Sequence, residues 1–66
     1  MNYEWTITVQ VLPNIVGGSV LRVKYTSIAA TREEAKADAI AQHAEAYPRT
    51  APRSIISAMV RGVAIP

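Results

Sequence analysis

Between residues 3 and 12 apolar and polar side chains alternate without a break. Tyr3, Trp5, Ile7, Val9 and Val11 fall on one side, and Glu4, Thr6, Thr8 and Gln10 on the other. A period of two is the signature of a strand with one buried face, and aromatic and β-branched residues suit it. Residues 19–28 repeat the pattern, with Leu21, Val23 and Tyr25 opposed to Arg22, Lys24 and Thr26. Gly17-Gly18 between the two runs reads as a two-residue hairpin turn. The register complicates this reading. A tight turn there pairs odd positions with even ones, yet both apolar sets are odd, so one set would face water. One extra residue near Pro13-Asn14 restores the match, pairing Val11 with Val23 and Val9 with Tyr25. A wider loop from Pro13 to Gly18 is the alternative.

The period then changes to that of a helix. Thr31 is a good N-cap, and Glu34 three residues later completes a capping box in which its carboxylate reaches back to the cap's own N–H. Residues 32–46 hold no Gly and no Pro, and Pro48 closes the segment by forcing Tyr47 out of helical geometry. At about 100° per residue, Ala37, Ile40, Ala41, Ala44 and Tyr47 share one face, which is expected to pack on the sheet. Ala35, Ala39, Gln42 and Ala46 form the opposite strip, expected to be exposed.

Residues 48–53 read as a loop. Ser54-Ile55-Ile56-Ser57-Ala58-Met59-Val60-Arg61 fits either a third strand or a second helix beginning near Pro52, and its β-branched content favours a strand. The chain is therefore expected to be a single α+β domain over residues 1–66, in ββαβ order. Its elements are strand 3–12, strand 19–28, helix 32–46 and strand 54–63. Short connections place the last strand beside the first, giving a three-stranded antiparallel sheet of order 2-1-3 with the helix on one face. The expected core is Trp5, Ile7, Val9, Leu21, Val23, Tyr25, Ile40 and Ala44.

Half of the 66 residues are hydrophobic, which excludes a disordered tail. A core this small is often supplemented by self-association. No cysteine is present, so disulfide and thiolate chemistry are excluded. The first residues carry no basic and apolar signal, and no run approaches the roughly 20 apolar residues of a membrane span, so a cytoplasmic, non-membrane protein is expected.

The inventory of reactive groups argues against an enzyme. His43 is the only histidine and is read as solvated, with no partners at metal-ligand spacing. Ser54 and Ser57 have no base near them in sequence. Gly17-Gly18-Ser19 precedes a strand, whereas a phosphate cradle needs a helix N-terminus. No cofactor is implied.

Charge divides the chain. Residues 31–47 set Arg32 and Lys36 against Glu33, Glu34, Asp38 and Glu45, a net of −2, and the rest sets Arg22, Lys24, Arg49, Arg53 and Arg61 against Glu4, a net of +4. If the open sheet face shows Arg22 and Lys24, joined by Arg61 and flanked by Arg49 and Arg53, it is a candidate polyanion-binding surface, although the aromatic residues fall in the core set instead.

The hairpin, the segment Ile28-Ala29-Ala30-Thr31-Arg32-Glu33-Glu34-Ala35-Lys36 and the final strand resemble small phage-encoded accessory proteins. Among these are anti-CRISPR inhibitors of ββαβ layout whose helix opens Ala-Ala-Thr-x-x-x-Ala-Lys. The resemblance covers the helix start and the order of elements, and carries over no inhibitory residues. It implies a protein that blocks a host complex by binding, in the host cytoplasm, without catalysis. The leading expectation is thus a non-enzymatic protein-binding module. Its contact would be the acidic flank Glu34, Asp38 and Glu45 or the strip Ala35, Ala39, Gln42 and Ala46. The alternatives are a nucleic-acid binder using the five cations and an assembly component forming homodimers or larger homo-oligomers.

Overall fold

The computed structural model describes residues 1–66. It contains β1 (Asn2–Val11), β2 (Leu21–Ala29), α1 (Arg32–Ala46), a single 3-10 turn (Ala51–Arg53) and β3 (Ser54–Ile65). The strands form one antiparallel sheet in the order β2-β1-β3, as the ββαβ reading expected, and residues 54–61 are strand rather than helix.

The β1–β2 ladder runs unbroken from Tyr3 opposite Ala29 to Val11 opposite Leu21. Odd residues do face odd residues, but through a wide loop over residues 12–20 and not through a bulge. Val11 pairs with Leu21 and Val9 with Val23, in place of the expected Val23 and Tyr25. Gly17-Gly18 is not a two-residue hairpin. Gly18 donates its N–H to Ile15 O at 3.2 Å, and Gly17 takes φ 81°, the left-handed value that the third residue of a type II turn needs. At the loop's base Leu12 N–H reaches Arg53 O at 3.0 Å, tying the end of β1 to the approach of β3.

The β1–β3 ladder slips twice. Thr8 pairs with Ala58 and Val9 with Ile56, so Ser57 is an extra residue; Tyr3 pairs with Ala64 and Trp5 with Arg61, so Gly62 and Val63 together oppose Glu4. A Cβ on Gly62 would stand 2.8 Å from Glu4 O, which explains a glycine at the second bulge. Each slip moves β3's alternation by one. Ile56, Met59, Arg61 and Ala64 consequently lie opposite the inward residues Val9, Ile7, Trp5 and Tyr3, on the side that bears the helix.

Thr31 caps α1 as expected, accepting from Glu34 N–H at 3.3 Å. The Glu34 carboxylate takes the N–H of Ala30 at 3.4 Å, one residue before the expected cap N–H. The helix packs over β1 and β2, and its buried residues are Ala35, Ala39 and His43. This inverts the expected orientation: Ile40 is 51% exposed, and Ala37, Ala41, Ala44 and Tyr47 also face outward. The reason is steric. Trp5, Ile7 and Val9 on the sheet already fill the layer beneath α1, so the helix meets them with Ala35 and Ala39 and carries Ile40 to the side, toward β3. The core is Trp5, Ile7, Val9, Ala29, Ala35 and Ala39, with Tyr3, Tyr25, Ile56 and Met59 packed around it. Leu21, 48% exposed, and Ile40 and Ala44 do not belong to it, and Val23 is only half-buried. The Trp5 indole N–H is satisfied by Ala29 O at 3.0 Å, while Ser27 Oγ is buried without a partner.

Candidate functional site

The histidine expected in solvent is one of the most buried side chains, 2% exposed. It lies one and two helical turns beyond Ala39 and Ala35, on the same inward face. Its Nδ1 is 2.7 Å from the Tyr25 hydroxyl on β2, and its Nε2 is 2.6 Å from Ser54 Oγ at the start of β3. Thr50 Oγ1 lies farther from Nε2, at 3.4 Å.

Ser54 therefore does have a base beside it, which sequence distance concealed. The hydroxyl's own donation sets the direction of the network. Ser54 donates its hydroxyl proton to Thr50 O at 2.8 Å, so it accepts from His43 Nε2–H, and Tyr25 donates to Nδ1. Nε2 then already carries a proton and cannot take one from Ser54, as nucleophilic catalysis would require. One imidazole thus joins the helix, the edge strand β2 and the start of β3. No group of three His, Cys, Asp or Glu side chains comes together to hold a metal ion.

Burial pushes the Tyr25 phenol above its usual value of 10.0, and repulsion from a charged Tyr47 adds to the rise. A raised folded value means that the neutral phenol's stabilisation is fully present below the unfolded value and is lost as pH climbs through the folded one. The unfolding free energy is therefore expected to fall above about pH 10, and to fall less steeply in Tyr25→Phe. Urea titrations at a series of alkaline pH values check this.

Because α1 covers β1 and β2 but not β3, a groove of about 380 Å³ remains between helix and third strand. Val9 and Ile56 lie at its base, Lys36 and Ile40 rise from α1, and Ala51 and Ser54 close the end beside His43. On its other flank α1 is fastened to the edge of the sheet, where Gln42 Nε2 donates to Thr26 O at 3.1 Å and to Asp38 Oδ2 at 3.0 Å.

The opposite face of the sheet has no covering layer. Pairing places Ile55, Ala58 and Val60 of β3 there, opposite Gln10, Thr8 and Thr6 of β1, with Arg22 and Lys24 beyond them on β2. Val60 is 62% exposed, and Ile55 and Ile28 are exposed with it.

The five expected cations do not converge. Arg22 and Lys24 share the open face, but Arg61 is on the helix-bearing face, with its guanidinium 4.4 Å from the centre of the Tyr3 ring. Arg53 is held in the loop by Nε donation to Leu12 O at 3.3 Å, and Arg49 lies in the turn after α1. The expected contact strip also dissolves: Ala35 and Ala39 are buried and Gln42 is half-buried, leaving Ala46 exposed. Glu34, Asp38 and Glu45 are exposed, as expected of an acidic flank. Comparison of the chain with known protein families, curated proteins and solved structures finds no match.

Proposed function

We propose that the chain is a non-enzymatic protein-binding module that engages its partner through the open face of the sheet. The observation carrying this reading is the lateral gradient on that face: apolar Ile55, Ala58 and Val60 on β3, Thr6, Thr8 and Gln10 on β1, basic Arg22 and Lys24 on β2. An apolar area bordered by polar and charged side chains is the usual composition of a protein interface. The basic border favours a partner with acidic groups on that side, which would steer the approach. A stiff sheet presenting such a face also suits the occluding role that the resemblance to phage-encoded inhibitors implies.

Nucleic-acid binding is the second reading, and only the Arg22–Lys24 pair favours it. Fluorescence anisotropy of labelled single- and double-stranded DNA, at low and near-physiological salt, separates the two. Under the protein-binding reading neither probe binds at micromolar protein. Salt-sensitive binding that is lost in Arg22→Glu/Lys24→Glu would overturn it. The positive arm replaces Ala58 by a photoreactive benzoylphenylalanine and identifies adducts by mass spectrometry. One discrete protein adduct, abolished by Val60→Glu, is the expected result.

A further inference from the structure

We propose that the helix-bearing face is the contact surface for a second copy of this chain, forming a two-fold dimer in which each α1 lies in the other copy's groove. This is a different surface from the open face, so the two proposals stand or fall separately.

Three observations lead there. The first is that α1 has two apolar faces. Ala35, Ala39 and His43 cover its own sheet, while Ala37, Ala41 and Ala44 face away from it, Ile40 borders the groove and Tyr47 lies against His43, and all five are exposed. Apolar side chains beyond the sheet-facing stripe leave surface for a second layer to cover, and they include the helix's only large aliphatic residue, Ile40.

The second is shape. Ridge and groove stand side by side on one face, the helix over β1 and β2 and the gap over β3. A two-fold axis parallel to α1, midway between the two, exchanges them: each ridge enters the other's groove. The result is sheet, helix pair, sheet. The alanines of each α1 then meet Ile56 and Met59 of the other copy, repeating the contact of small helix residues with a sheet that each copy already makes internally. Such a self-complementary surface is what an isologous dimer requires. The same axis runs the two helices parallel, with their groove-side flanks facing. Glu33 and Lys36 are one turn apart near that flank, so each is brought beside its opposite charge in the other copy.

The third is area. The chain exposes 4625 Å², against about 4,100 Å² expected for a compact monomer of its mass. A dimer that covered this surplus in both copies would bury roughly 1,000 Å², the size at which an interface becomes specific.

Sedimentation equilibrium of the full chain across micromolar to millimolar concentrations is the direct test. A mass of twice 7.2 kDa is expected, with a urea midpoint that rises with protein concentration. Ala41→Glu puts a carboxylate on an exposed helix position and should raise the dissociation constant at least about a hundredfold while leaving the monomer's circular dichroism intact. Since the chain has no cysteine, Ile40→Cys gives a clean geometric readout. The axis brings position 40 of one copy against position 40 of the other, so mild oxidation yields a disulfide-linked dimer, whereas Arg22→Cys does not. Monomeric mass at every concentration overturns the proposal. So does a dimer that persists in Ala41→Glu and dissociates in Val60→Glu, because that places the interface on the open sheet face.

Discussion

His43→Ala is expected to lower the unfolding free energy by about 3 kcal/mol or more, from lost packing and from the stranded hydroxyls of Tyr25 and Ser54. A domain of this size rarely holds more than about 3–5 kcal/mol in total, so much of the population would be unfolded at room temperature. Far-ultraviolet circular dichroism with urea, in a background of a stabilising osmolyte, measures the loss. The cause is separable. In Tyr25→Phe/His43→Leu/Ser54→Ala all three polar groups disappear together, and the triple variant is expected to recover most of the stability. If His43→Ala instead unfolds at the wild-type urea concentration, the imidazole is not the brace between helix and sheet that its hydrogen bonds indicate.

Ile7→Ala should cost about 2–5 kcal/mol, the range for emptying a fully enclosed aliphatic site. Ile7 is 0% exposed, sits in the central strand and faces the helix, with Tyr25 on β2 and Met59 on β3 directly opposite it. Neither neighbour can collapse far into the space, because both are anchored in ladders on either side. The same urea experiment provides the check, and Ile7→Val, expected to lose about 0.5–1.5 kcal/mol, calibrates it. Equal losses for alanine and valine would show that the cavity closes by relaxation.

The two β1 faces, the capped helix and the strand order follow from alternation, Thr31 and short connections, each a signal carried by neighbouring residues. The orientation of the helix does not. Both of its faces are apolar, and the larger one is the natural choice when residues are ranked by hydrophobicity. The deciding quantity is the space left above Trp5, Ile7 and Val9, which involves residues some thirty positions away. His43 was concealed for the same reason. Its spacing from Ala35 and Ala39 was legible, but only the inverted face turns that spacing into burial. Its partners Tyr25 and Ser54 come from opposite edges of the sheet. The position of Arg61 depends on the bulges in β3, and nothing local to Ser57 announces an extra residue. The cations were countable in the sequence, but their separation onto different sides was not.

The two slips in β3 also bear on what the edge of this sheet can accept. A strand of twelve residues, rich in isoleucine and valine and free of proline until its end, is the kind of segment that recruits identical strands into fibrils. Growth of that sort needs an uninterrupted comb of backbone groups in a single phase. Here the phase changes at Ser57 and again at Gly62-Val63, leaving Ala58–Arg61 as the regular stretch between them. A stretch of four residues falls short of the roughly six or seven that a stacking segment spans. The irregularities therefore act as a safeguard against polymerisation, allowing the chain to keep a long apolar border strand. Deleting Ser57 would remove one interruption and lengthen the matched stretch.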